Sequence, residues 1–278
     1  TEDELFPFRG IVLAWRLARL VSIPLSALTI IAAYLTALAI YPQRRLFALT
    51  VAGFVAFVPR FVFNSAVITD DNLVIPLVTF AIYYQVRIIQ GDKRLQTLLI
   101  LGAVTGLAVV TKYHSFVLLL EIAFVFLVLA WRNQGEWKDW LKRWAWVMLS
   151  FVVTTGWWFF LIFSRFNRVA ELGLVPGLLA PLGDPTTTEV ASLQPESLAI
   201  SWNWIAPVFR TFWIVARPAD PFWLDAIYLI LIVLTIVAVL GLLRLTYRRL
   251  TSRRQHKWRL DIALLGLNLL LYLAIVFG

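Results

Sequence analysis

Eight runs of mainly apolar residues follow one another along the chain, at 21–41, 46–63, 72–89, 97–111, 115–131, 144–163, 222–244 and 260–278. A bilayer core takes about 20 apolar helical residues to cross, so these runs predict transmembrane helices. Those at 97–111 and 115–131 are short and predict a tilted pair or a partly re-entrant segment. The "TKYHS" between them is too polar for lipid and too short for a domain. Ahead of the first run, "FRGIVLAWRLARL" places Arg9, Arg16 and Arg19 on one helical arc of about 80°, with Val12, Leu13 and Leu17 on other faces. That pattern predicts a helix lying in the membrane interface, its arginines either snorkelling or lining a substrate.

Composition turns this pattern into a class. Hydrophobic residues make up 61% of the 278 and charged residues 15%, with a mean hydropathy of +0.82. Soluble domains carry about a quarter charged residues. The expectation is an all-α fold, a polytopic transmembrane bundle of about eight spans forming a single domain over 1–278. The chain opens on "TEDELFPFRG" and ends inside an apolar run, so it is expected to be a fragment lacking a first span and a C-terminal part. There is no cysteine, which excludes disulfides, thiolate metal sites and a Cys nucleophile. The two histidines lie at 114 and 256, too far apart in sequence to suggest a zinc cluster.

Charge sets the orientation. One alternate set of connections holds sixteen of the 25 basic residues, among them Arg44, Arg45, Arg87, Lys93, Arg94, Lys138, Lys142 and Arg143, against four acids. The positive-inside rule assigns that set to the cytoplasm. The pI near 10.2 therefore reflects membrane topology, and no nucleic-acid partner is expected. The acidic features then share the extracytoplasmic face: "TEDE", the pair Asp70 and Asp71, and a connection over 164–221. That connection has seven of the twelve prolines and is rich in aromatics, which predicts an ordered loop packed over the membrane mouth.

The candidate chemistry lies at that mouth. In "FNSAVITDDNLVIPL", Asp70 and Asp71 open the third run, where acids meet the positive end of a helix dipole. A helix cap by Thr69 or Asp70 accounts for one carboxylate. Asn64, Asn72 and Arg60 nearby extend the pair into a polar cluster, which can bind a divalent metal through oxygen or deprotonate a hydroxyl. Lys112 and His114 follow "GAVTGLAVVT" and emerge on the same face, against the positive-inside bias. Lys112 either snorkels to the interface or binds an anionic headgroup. Gly102 and Gly106 have the small-xxx-small spacing of close helix packing. Glu121 falls inside a span, where it is protonated or faces a cavity. No Gly-rich phosphate loop, HExxH or nucleophile elbow occurs, so the chemistry is placed on a membrane-borne substrate.

"VPRFVFNSAVITDDNLVIPLVTFAIYYQVRI" followed by "GAVTGLAVVTKYHSFVLL" resembles the core of type-C membrane glycosyltransferases, the group that includes protein O-mannosyltransferases and aminoarabinose transferases. The resemblance covers residues from about 10 to 130. It implies a polyprenyl-phosphate sugar as donor, an extracytoplasmic protein, lipid or glycan acceptor, and transfer with inversion. It also implies cations for the phosphate leaving group, for which Lys112, Arg60 and Arg16 are candidates, with His114, Asn64 and Asn72 beside them as substrate-binding residues. Asp70 and Asp71 match the family's second acidic element, which assists with substrate or a metal ion. The principal acid of such enzymes usually lies in the first extracytoplasmic loop, and Asp3 or Glu4 would be its remnant. The expected location is a bacterial or archaeal plasma membrane, with lipid bilayer and lipid-linked donor as partners. The competing reading is a non-catalytic membrane subunit of a larger complex. A transporter would carry inverted repeats, and none is found.

Overall fold

A computed structural model describes residues 10–132 and 137–166, together with scattered helical positions between 229 and 267. Among the described residues the structure is helical, with no strand. Helix α1 spans Gly10–Ile40, α2 Arg45–Phe57, α3 Pro59–Ala66, α4 Asp71–Ile89, α5 Leu95–Thr111, α6 Val117–Arg132 and α7 Trp137–Phe166. A short 3-10 turn, Tyr113–Phe116, leads into α6. In lipid every backbone polar group must be satisfied within the chain, which is why apolar runs of this kind resolve into helices.

Two expectations change. The arginine-bearing stretch before the first span is not a separate interfacial helix. From Gly10 on it is the first third of α1, which continues unbroken through Pro24, while Phe8 and Arg9 lie outside the described residues. The run 46–63 is not one straight span either. It breaks into α2 and α3, bent by 59°, because Val58 precedes a proline and takes an extended conformation at φ −63° and ψ 118°. Four helical segments among the described residues are long and apolar enough to cross a membrane, or five when the bent pair is counted as one. Helix α5 has 17 residues and falls below that length. The expected spans at 222–244 and 260–278, the remaining part of the eight, lie mostly outside the described residues, as does nearly all of the 164–221 loop.

The bundle is built around α5, which packs against α7 on one side and α4 on the other, while α1 packs against α4 and α2. Leu98 and Leu101 of α5, Leu118, Ile122 and Val125 of α6 and Val147 of α7 are completely or almost completely buried. Gly102 and Gly106 allow this packing. A Cβ on Gly102 would collide with the Val147 carbonyl and lie 2.7 Å from Ser150 Cβ, and one on Gly106 would lie 2.9 Å from Thr154 Cβ. The Ser150 hydroxyl also donates across the seam to the Leu99 carbonyl at 2.7 Å.

Two long-range ties align α1 with α4. Near one end the Asn72 amide donates to Ser22 Oγ at 2.9 Å, and at the other the Gln90 amide donates to the Ala39 carbonyl at 2.6 Å. The two helices therefore run parallel and in step. Twelve residues of α1 precede Ser22, about 18 Å of helix at 1.5 Å per residue, and extend past the start of α4. At the opposite end the α4–α5 turn is made by Gly91, whose φ of +102° suits glycine, and by Asp92. The Asp92 carboxylate accepts the Arg94 N–H at 3.1 Å and the Thr97 hydroxyl at 3.0 Å, and pairs with the Arg87 guanidinium. Burial pushes this carboxyl up, but the hydrogen bonds from Arg94 and Thr97 and the charge of Arg87 outweigh it and hold Asp92 below the usual aspartate range.

Candidate functional site

The start of α4 and the end of α5 meet at one end of the bundle. Asp70 occupies the N-cap position of α4 and Asp71 its first turn. Asp70 does not cap with its side chain. Its backbone is helical, at φ −60° and ψ −26°, with no side-chain cap hydrogen bond, and its main-chain carbonyl accepts the N–H groups of Leu73 and Val74 at 3.1 and 3.0 Å. Both carboxylates are thus left to other partners.

That partner is Lys112. As the C-cap that follows Thr111 of α5 it is extended, at φ −153° and ψ 120°, which ends the helix and turns the side chain toward α4. Its ammonium lies 2.6 Å from Asp71 Oδ1 and 3.7 Å from Asp70 Oδ2. The side chains of Lys112 and Asp71 are each about one-third exposed, at 34% and 36%, and that of Asp70 is more open at 54%. The hydrogen bond to Asp71 raises the Lys112 ammonium above the usual lysine range. Burial opposes this, and the charges of Asp71 and Asp70 add to it. The ammonium stays charged throughout the neutral range.

The other sequence candidates are placed around this triad in different ways. Asn72, next to Asp71, is buried, and its amide donates to Ser22 Oγ and to the Val67 carbonyl. Its side chain is thereby committed to joining α4, α1 and the chain leaving α3. Asn64 is half-buried near the end of α3, where its carbonyl accepts the Val67 N–H at 3.1 Å. Arg60 is exposed on α3 with its guanidinium 6.0 Å from the Phe63 ring centroid, a cation–π contact. His114 is exposed in the 3-10 turn, two residues beyond Lys112. Arg16 is exposed on the part of α1 that extends past the start of α4. Asp3 and Glu4 lie outside the described residues. Glu121 is completely buried within α6. Ser22 was not visible as a site-supporting residue in the sequence. The one signal for it was a polar side chain inside an otherwise apolar run.

Among the described residues no group of three His, Cys, Asp or Glu side chains could hold a metal ion, and the Lys112 ammonium already stands against the two carboxylates where a cation would sit.

A family profile described as dolichyl-phosphate-mannose-protein mannosyltransferase matches residues 14–160. The matched segment covers more than half of the chain. It runs from the first turns of α1 almost to the end of α7 and includes Asp70, Asp71 and Lys112, while Asp3 and Glu4 precede it. No curated protein and no solved structure matches the chain. With that profile spanning a bundle of apolar helices, the chain belongs to the dolichyl-phosphate-mannose-protein mannosyltransferase family of membrane glycosyltransferases.

Proposed function

We propose that this protein transfers a sugar from a polyprenyl-phosphate donor to a hydroxyl-bearing acceptor on the extracytoplasmic side, with inversion at the anomeric carbon. The observation that carries the proposal is the Asp70–Asp71–Lys112 cluster, held at the bundle end opposite the basic turns that contain Arg44, Arg45, Arg94 and Lys138. A lipid-borne donor delivers its phosphate and sugar at the level where spans leave the membrane, and this cluster ends α5 and begins α4 at such a level.

The chemistry assigns a role to each charge. The acceptor oxygen attacks the anomeric carbon, and the bond from that carbon to the phosphate oxygen breaks. The electron pair leaves with the polyprenyl phosphate, and the acceptor proton passes to a carboxylate. Asp70, the more open of the two acids and the one farther from Lys112, is the candidate base. Lys112 has three N–H donors, one of them engaged by Asp71, so it can also meet the negative charge that grows on the leaving phosphate. Asp71 orients that ammonium and keeps it protonated. Arg60, His114 and Arg16 are candidate contacts for the donor headgroup, and Asn64 and Asn72 support the rim that carries them.

The test is transfer of sugar from synthetic polyprenyl-phosphate donors by the full-length protein in nanodiscs. Asp70→Asn should lower the rate about 10²–10⁴-fold, as loss of a general base does. Lys112→Ala should lower it about 10²–10³-fold through lost stabilisation of the leaving group. Transfer at the wild-type rate in Asp70→Asn, Asp71→Asn and Lys112→Ala together would remove the cluster from the mechanism.

A further inference from the structure

Counted at about 100° per residue from Pro59, the residues of α3 divide into two faces. Val62, Ala66, Pro59 and Phe63 share one arc, Arg60 stands at its edge, and Asn64, Phe61 and Ser65 fill the remainder. Exposure divides along the same line. Val62 and Phe63 are 49% and 48% exposed, and Pro59, Arg60 and Ala66 are exposed as well, whereas Phe61, Asn64 and Ser65 are half-buried. Because α3 packs on α1, α2 and α4, the half-buried side is the one it turns to the bundle. A surface helix of a soluble protein does the reverse and buries its apolar arc. Here the face turned away from the bundle is apolar, with a cation on its rim.

This face leads to the acid–lysine cluster. The 59° bend after α2 swings α3 out of line, and the chain beyond it is held at Val67. The Val67 carbonyl accepts from the Asn72 amide and from the Ser22 hydroxyl, the latter at 3.5 Å. Ile68 and Thr69 alone then separate Val67 from Asp70, and Ile68 is again 41% exposed. An apolar strip from Val62 to Ile68 therefore ends beside the carboxylates that face Lys112. Arg60 lies along its rim, the guanidinium 6.0 Å from the Phe63 ring centroid.

We propose that this strip binds the isoprene units nearest the phosphate of the polyprenyl-phosphate donor, with Phe63 as the principal contact, and so aligns that phosphate with Lys112. The inference rests on the glycosyl-transfer reading of the cluster. Its occupant follows from continuity. A molecule seated on the strip with its polar end at the cluster is an apolar chain ending in a phosphate, and Arg60 offers that phosphate a second cation. Bulk phospholipid covers any exposed apolar surface, whereas this strip ends where the reacting bond of the donor must lie. Within lipid the gain comes from packing against a rigid ring and not from release of water.

The experiment uses the full-length protein in nanodiscs of phosphatidylglycerol and phosphatidylcholine, with a polyprenyl phosphate that carries a photoreactive diazirine on the isoprene units nearest its phosphate. Irradiation should place the label within residues 59–68. Unlabelled polyprenyl phosphate should compete it away even though phospholipid is in large excess. Phe63→Ser should raise the half-saturating probe concentration about fivefold through lost packing, and Phe63→Leu should restore most of the affinity. Leu46→Ser, at another exposed apolar position on α2, should leave it unchanged. Ile68→Ser tests the strip independently should the unfolding midpoint of Phe63→Ser fall. Transfer assays separate this inference from the reading beneath it. With a methyl-phosphate sugar, which keeps the reacting bond and lacks the chain, Phe63→Ser should match the wild-type rate and Asp70→Asn should not. Labelling elsewhere, no competition by polyprenyl phosphate, or unchanged affinity in both serine variants would overturn the strip and leave the transfer reading standing. Labelling of the strip in a wild-type protein that transfers no sugar would support the strip and overturn the transfer reading.

Discussion

Asp71 and Asn72 are adjacent in sequence and have different jobs. Asp71 faces Lys112 from a partly open position, whereas the Asn72 amide is buried and tied to Ser22 and Val67. The difference follows from the helix itself, because consecutive residues point about 100° apart. It separates chemistry from support in an experiment. Asn72→Ala should destabilise the folded protein by about 1–3 kcal/mol, since it removes the donor that both Ser22 Oγ and the Val67 carbonyl accept from. Lys112→Ala removes a partly exposed ion pair and should change the unfolding midpoint far less while lowering transfer about 10²–10³-fold. Thermal unfolding of both variants in the same detergent checks this. An Asn72→Ala protein as stable as wild type would sink the supporting role.

At the scale of elements, the α5–α7 seam positions Lys112. Helix α5 is short and enclosed by α4 and α7, so its register against α7 determines where its C-terminal lysine emerges. Gly102 and Gly106 set that register, because the Val147 carbonyl, Ser150 and Thr154 occupy the space a side chain would need. Gly102→Ala should cost about 1–3 kcal/mol, the usual range for overpacking a close contact. Gly53 on α2 has nothing within 4 Å of a would-be Cβ, so Gly53→Ala should be neutral or slightly stabilising, as removal of a helical glycine usually is. A pair of unfolding midpoints that moved equally would show that the seam is looser than described. The break between α2 and α3 is of a different kind. It comes from the backbone preference of a residue before proline, and it presents Arg60 and Asn64 on a separate short helix, not on a straight span.

For the molecule as a whole, the antiparallel succession of helices sends the basic turns to one end and the acid–lysine cluster to the other. The chain contains no cysteine, so single cysteines can report sidedness without background. In intact cells, a membrane-impermeant maleimide should label His114→Cys, which is exposed beside Lys112, and should not label Arg45→Cys until the membrane is opened. The reverse pattern would invert the topology and with it the side on which transfer takes place.

The apolar run lengths, the low charge and the alternation of basic connections were sufficient to specify a helical membrane bundle, because each reports a property of the bilayer that acts on any chain. The small-xxx-small spacing identified a packing seam for the same reason: close helix approach requires small residues. Which helices meet was not written in that pattern. The pairing of Lys112 with Asp71 spans 41 residues of sequence, and the Ser22–Asn72 tie spans 50. Neither distance follows from periodicity, since a helix face repeats every few residues and does not specify its neighbour. The sequence also could not decide that "GIVLAWRLARL" continues into the first span, because an amphipathic stretch and a span differ only in whether the backbone breaks between them. Tertiary packing decided that α1 and α4 run in step and that α5 packs against α4, and the second of these placed the two acids and the lysine within reach of one another.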